Sequence, residues 1–227
     1  GVYRSSDGGE SWTLVATGLT NTRIADLLVD PTNPDILLAA TQTAQVFSES
    51  GIYRSTNAGA SWALLPGSPS ARDGRVLAAV GATVFAGAVG EATTRGGVFR
   101  AADGQTFTRS DRGLVVMRCR AVTSHRGLPD ELLVGAAGTF REPGGAYRSL
   151  DGGETWQKHS AEGLRSTVYA LRIVTPRLRF AGTSGGVWRW SATEGGVWRQ
   201  TALTTGVVQD LAPGLAQAES VLFVGDD

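Results

Sequence analysis

Lysine is almost missing from this chain: Lys158 is the only one, and every other basic side chain among the 21 is arginine, a bias we read as a GC-rich coding sequence rather than as a functional signal. Cysteine is reduced to Cys119, which excludes an internal disulfide and leaves the redox compartment unmarked. Its apolar, strand-like setting predicts a small buried side chain. Histidine occurs only at His125 and His159, apart from each other and from Cys119, short of the ligand cluster that zinc requires. Both are expected in surface loops. No apolar run approaches the roughly 18 residues of a transmembrane helix. Acidic residues also number 21, so the charge excess of a nucleic-acid binder is missing and any basic site must be local. The glycine pairs at 8–9, 144–145 and 195–196 lie in turns between strand-like runs, not ahead of helices as a phosphate-cradling loop requires. No metal and no cofactor is expected, and nucleic acid is not an expected partner.

What the chain does have is repetition. Gly1-Val2-Tyr3-Arg4 leads to Trp12, Gly51-Ile52-Tyr53-Arg54 to Trp62, Gly97-Val98-Phe99-Arg100 to Phe107, Gly145-Ala146-Tyr147-Arg148 to Trp156, and Gly186-Val187-Trp188-Arg189 to Trp198. The unit recurs every roughly 40–50 residues, the period of a solenoid, propeller or array. Within a unit, Arg23 to Val29 reads as a strand and Asp30 to Asp35 as a turn, its prolines and Asx residues stopping the pairing. Ile36 to Ala40, Ile52 to Ser55 and Ser61 to Leu65 are the next strands. The runs are short, β-branched and aromatic, with no sustained 3.6-residue period. A four-stranded antiparallel unit at this spacing is a propeller blade, because one small sheet buries both faces only when neighbours stack on it.

The expectation is an all-β propeller forming one domain over residues 1–227, with outer hairpins near 1–17, 51–65, 97–109, 145–158 and 186–203. The chain opens on a third strand, without an initiating Met, and ends on segments that match first and second strands, Val207 to Asp210 and Val221 to Val224. This is expected of a piece cut from something longer. The complementary ends predict five blades closed by pairing of N- and C-terminal strands; the alternative is five units of a larger ring.

The outer turns read Ser5-Ser6-Asp7-Gly8-Gly9-Glu10-Ser11-Trp12, Ser55-Thr56-Asn57-Ala58-Gly59-Ala60-Ser61-Trp62 and Ser149-Leu150-Asp151-Gly152-Gly153-Glu154-Thr155-Trp156. This pattern resembles the Asp-box of BNR-repeat proteins, which include sialidases, sortilin-type receptors, xyloglucanase-like glycosidases and photosystem-assembly propellers. The Asp103 to Phe107 turn is shorter and lacks the serine; the one ending at Trp198 is longer. An Asx side chain can bond the N–H groups of its own turn, glycine takes positive φ, and the aromatic supplies an apolar plate. Asp7, Asn57, Asp103 and Asp151, with Trp12, Trp62, Phe107, Trp156 and Trp198, are therefore expected to be structural. The resemblance places the box on the blade periphery, away from the ligand face. The repeated Arg4, Arg54, Arg100, Arg148 and Arg189 are expected to stack or pair between strands and blades. The resemblance also implies an extracellular, periplasmic or membrane-associated location.

Aligning the expected innermost strands at Ile24, Val76, Cys119, Val168 and Val207 puts Arg23, Arg75 and Arg118 just before them, with Arg120 close by. In a closed ring, equivalent positions face a common axis, so these guanidiniums are the candidate ligand-binding residues for an acidic partner. Pairing with Asp26, Asp73 or Asp210 is the alternative. The loops Gln42 to Ser50, Val89 to Gly96 and Gly138 to Gly144 all follow second strands and could form a protein-binding rim. The expected function is a non-catalytic binding or assembly module for a protein, acidic or carbohydrate ligand. The competing reading is a sialidase- or xyloglucanase-like glycoside hydrolase, or a fragment of one. Such an enzyme needs two carboxylates at a set separation, for which Asp26 and Asp210 are the best candidates; Tyr169 with Glu131 or Glu162 is a weaker combination.

Overall fold

A computed structural model describes the chain except residues 31, 43–49, 70–72, 90–95, 116–117, 139–142, 160–163, 217–218 and 227; for 73–75, 213–216 and 219–226 only the backbone is described. The chain divides into two compact units, Gly1–Arg109 and Ser110–Asp227. In the first, β1 (Tyr3–Arg4) and β2 (Thr13–Leu14) form sheet I. Sheet II contains β3 (Ile24–Val29), β4 (Leu37–Thr41), β5 (Ile52–Ser55) and β6 (Ala63–Leu64). Sheet III contains β7 (Asp73–Val80), β8 (Thr83–Val89), β9 (Gly97–Ala101) and β10 (Thr108–Arg109). In the second unit, sheet IV contains β11 (Cys119–His125), β12 (Leu128–Ala136), β13 (Gly145–Ser149) and β14 (Gln157–Lys158). Sheet V contains β15 (Val168–Thr175), β16 (Leu178–Thr183), β17 (Gly186–Ser191) and β18 (Val197–Gln200); sheet VI pairs β19 (Val208–Ala216) with β20 (Glu219–Asp226). Every sheet is an antiparallel meander in sequence order. The end segments thus appear as two separate two-stranded sheets, I and VI. Among the described residues no helix is long and apolar enough to cross a membrane.

The cores lie between successive sheets, as stacked blades require. In the first unit Val2, Leu19, Ala39, Tyr53 and Trp62 pack between sheets I and II, and Leu38, Ile52, Leu65, Leu77, Val84 and Phe107 between II and III. In the second unit Leu133, Leu164, Val168, Leu171, Trp190 and Trp198 join sheets IV and V, and Val187, Val208 and Leu211 join V and VI. Cys119 is buried, as its setting predicts.

Each first strand carries a one-residue bulge at the same place. Pairing skips between Ile24 and Asp26, Asp73 and Arg75, Cys119 and Ala121, Val168 and Ala170, and Val208 and Asp210. This register revises the sequence alignment in two strands: Asp73 and Val208, not Val76 and Val207, are the equivalents of Ile24. Both strands carry apolar residues on consecutive positions, so alternation could not mark where they begin.

Candidate functional site

The outer turns are self-contained staples. In the turn after β13, Ser149 Oγ donates to Asp151 Oδ1 at 2.7 Å and accepts from Gly153 N at 2.8 Å, while Asp151 Oδ1 also accepts from Thr155 N at 2.9 Å. Ser5, Asp7 and Ser11 repeat this set, as do Ser55, Asn57 and Ser61. Asp103, without its serine, accepts from Gln105 N and Thr106 N, both at 2.8 Å. These donors hold Asp151 at a pKa of about 2 and Asp7 further below the ordinary carboxylate, in both cases chiefly through the hydroxyl of the box Ser or Thr. Trp62 and Trp156 are buried and their indoles donate outside their own hairpins, to Val15 O and Ser110 O; Trp12 is 62% exposed and bonds Gly9 O within its turn.

The bulges account for the candidate acids. Asp26 and Asp210 occupy the same post-bulge position, and each accepts the N–H of the following residue, Leu27 at 2.8 Å and Leu211 at 2.7 Å. The second Asp26 oxygen accepts from Leu77 N of β7 at 2.7 Å, tying sheet II to sheet III, and Asp210 takes Arg172 at 3.2 Å. Both carboxylates serve as backbone acceptors. Of the candidate arginines, Arg23 and Arg118 are exposed directly before the bulged strands. Arg75 stands at the post-bulge position shared with Asp26, not at the entrance; its side chain is outside the described atoms. Arg120 and Tyr169 are the bulged residues of β11 and β15, and the guanidinium carbon sits 5.4 Å from the Tyr169 ring centre. Tyr169 therefore faces an arginine, and Glu131 is committed elsewhere. Glu162 and most of the expected rim, 43–49, 90–95 and 139–142, lie outside the described residues.

Sequence reasoning missed a buried polar cluster between sheets IV and V. Glu131, preceding the core residues of β12, is 5% exposed and takes two cations: Arg148 of β13 at 2.7 Å and Arg179 of β16. Arg179 is 1% exposed, and its guanidinium carbon lies 3.8 Å from the Trp190 ring centre. His159 packs against Trp190 and Trp198 at centroid distances of 5.3 and 6.0 Å. Burial, reinforced by Arg179 and Arg148 and opposed by Glu131, pushes its pKa down to about 4. His159, just after β14, is thus half-buried with its ring turned onto two tryptophans, where the sequence predicts a residue of an exposed surface loop. The available signal was Lys158-His159 standing where the second unit of the repeat has Leu64-Leu65. Beside the cluster lies a cavity of about 200 Å³ lined by Arg148, Leu150, Asp151, Thr155, Gln157, Lys158 and His159. Arg148 and Arg189, which pairs with Glu194 at 2.8 Å, behave as the pairing arginines the repeat predicts. Among the described residues no group of three His, Cys, Asp or Glu could hold a metal.

The BNR/Asp-box repeat family model matches residues 147–158. No curated protein matches the chain by sequence. By structure it is similar to the GH74 xyloglucanase from Xanthomonas campestris, at 20% identity and TM-score 0.66 over 98% of this chain and 39% of that one. It is also similar to the extracellular domain assigned to a hybrid two component system of B. thetaiotaomicron, at 18% identity and TM-score 0.69 over 96% and 27%. YCF48 from Cyanidioschyzon merolae aligns at 16% identity and TM-score 0.63 over 99% and 71%, and YCF48 bound to D1 peptide at 14% and 0.57 over 86% and 58%. The chain spans 24% of the length of an ancestral GH74 enzyme and 39% of the Xanthomonas enzyme that it matches. It carries the BNR/Asp-box repeat on a β-propeller-like fold.

Proposed function

We propose that the chain is a non-catalytic binding module, one β-propeller domain that holds an acidic segment of a protein partner in an extracytoplasmic setting. The observation that carries this reading is the use of Asp26: one oxygen caps its own bulge and the other caps the neighbouring strand through Leu77 N. A carboxylate bound this way is a poor nucleophile or proton donor. Asp210, the other acid proposed for hydrolysis, is held by Leu211 N and Arg172. Arg23 and Arg118, by contrast, are exposed at the starts of their strands and make no side-chain bond among the described residues, so each offers a fork of donors suited to carboxylates. The likeness to YCF48 bound to a D1 peptide supports a peptide-like ligand, and the likeness to extracellular domains supports the location.

The test is a panel of acidic and neutral peptides offered to the full chain and to Arg23→Ala, Arg118→Ala and Arg75→Ala variants, alongside a xyloglucan and sialoside hydrolysis assay. Binding that favours acidic peptides and weakens in the Arg23 and Arg118 variants is expected, with no hydrolysis. The hydrolase reading, which the xyloglucanase likeness keeps in play, takes over if robust turnover appears and is abolished by Asp26→Asn or Asp210→Asn.

A further inference from the structure

The repeats provide an internal alignment, and one junction departs from it in chemistry rather than in length. Where sheet IV has Glu131, the other four-stranded sheets have Ile36, Thr83 and Leu178; where sheet V has Arg179, they have Leu37, Val84 and Leu132. Trp190 replaces the residue that is Ser55, Ala101 or Ser149 elsewhere. Lys158 and His159 stand where Leu64 and Leu65 follow β5 and Leu14 and Val15 follow β1, while sheets III and V carry Arg109 and Gln200 at the Lys158 position and Thr201 of sheet V matches His159. The departures at Glu131, Arg179, Trp190 and His159 gather around the contact between sheets IV and V. Arg179 in particular stands where the other three four-stranded sheets carry only Leu or Val, so stacking alone does not call for it.

The charges at this junction do not balance. Arg148 and Arg179 share the single carboxylate of Glu131, and Lys158 adds a third cation. Asp151, an ionised carboxylate on the same cavity wall that receives Ser149, Thr155 N and the Thr155 hydroxyl, offsets one of these cations, so one positive charge is left over. Arg148 Nε, His159 Nε2, and Arg179 Nε and Nη1 are buried without a hydrogen-bond partner among the described residues. Unpaired buried polar groups are costly, and of these Arg148 and His159 line the cavity, where a ligand can supply the partner; Arg179 does not line it.

We propose that the cavity lined by Arg148, Leu150, Asp151, Thr155, Gln157, Lys158 and His159 binds a small oxyanion, a phosphate or a carboxylate, on the side of Arg148 and Lys158. Lys158 supplies the point charge, Arg148 the directional donors, and Gln157 and His159 further N–H groups. At about 200 Å³ the cavity is smaller than the roughly 300–1,000 Å³ of drug-sized sites, which suits an anionic head group rather than an extended ligand.

Inorganic phosphate and acetate are titrated into the full chain at neutral pH, with chloride at matched ionic strength as control. Binding is followed by the His159 ring resonances and the thermal midpoint, His125 serving as the reference histidine. The expected result is a saturable shift of His159 and a raised midpoint with at least one of the two anions and not with chloride. Response to phosphate alone identifies a phosphoryl ligand, and response to acetate a carboxylate. Lys158→Leu, which installs the residue β6 carries at this register, should weaken binding by about tenfold with an unchanged circular dichroism spectrum. If that variant does not fold, Lys158→Gln carries the same expectation. No saturable response to either anion, or a response that survives the loss of Lys158, overturns the proposal.

Discussion

Glu131 is the side chain on which most of the buried charge between sheets IV and V depends, and the sister repeats show what it replaced. Removing Arg179 with Leu leaves Glu131 one partner, Arg148, whereas removing Glu131 leaves Arg179 buried with none. Breaking a buried pair from one side typically costs about 3–5 kcal/mol, while replacing both ends with packed apolar residues is often neutral. Urea denaturation of Glu131→Ile should therefore show a loss near that size. The double variant Glu131→Ile with Arg179→Leu, which restores the residues of sheet II, should recover most of it; additive losses would mean that the pair is not an isolated unit. His159 gives a separate test by pH. Its folded pKa of about 4 lies below the ordinary 6.5, so between these values the unfolded chain binds the extra proton. Stability is full above about pH 6.5 and falls on acidification toward pH 4, by on the order of 3 kcal/mol. Carboxylates such as Asp151, held at about 2 against an ordinary 3.8, contribute above 3.8 and are lost only as pH drops through 2. His159→Leu should flatten the slope between pH 6.5 and 4 and leave the steeper acid limb in place, which chemical denaturation across pH would resolve.

At the scale of elements, the box hairpin was readable because every bond in it is local: serine, Asx and glycine within five positions, their donors a turn away. What joins a hairpin to its neighbour was not readable. Trp62 N bonds Thr17 O, and Trp156 N bonds Arg112 O, both at 2.9 Å. The next residues, Gly18 and Gly113, then pass so close that an added Cβ would lie 2.1 Å from Trp62 O and 2.2 Å from Trp156 O. Gly113 also has φ of +92°, in the left-handed region. Gly152 in the box has φ of +66° but nothing within 4 Å of its would-be Cβ. Gly152→Ala should cost about 1–2 kcal/mol from backbone strain alone, and Gly113→Ala at least about 2 kcal/mol more, because a backbone carbonyl must move. Thermal denaturation of the two variants separates the effects; equal losses would show that the close approach relaxes freely. The bulges were hidden for a related reason. An extra residue in one strand leaves composition and alternation nearly unchanged, yet it moves Arg75 from the strand entrance to the Asp26 position.

For the molecule as a whole, the expected outcome of a glycosidase panel is no turnover, with Asp26→Asn lowering stability rather than activity. A melting curve beside the assay checks this: the Asn amide keeps one acceptor oxygen, so loss of one of the two bonds to Leu27 and Leu77 N should lower the midpoint by several degrees, at about 1–3 kcal/mol. The amino-acid sequence by itself determined the all-β class, the repeating four-stranded unit and the hydrogen-bonded hairpin turns, since each rests on short-range periodicity and turn chemistry. Only the tertiary structure decided that Asp26 and Asp210 are backbone acceptors, that Arg75 is out of line with Arg23 and Arg118, and that Glu131, Arg179 and His159 meet. Glu131, His159 and Arg179 are 28 and 20 residues apart along the chain, and their proximity comes from stacking one sheet on the next, a relation that no local pattern encodes.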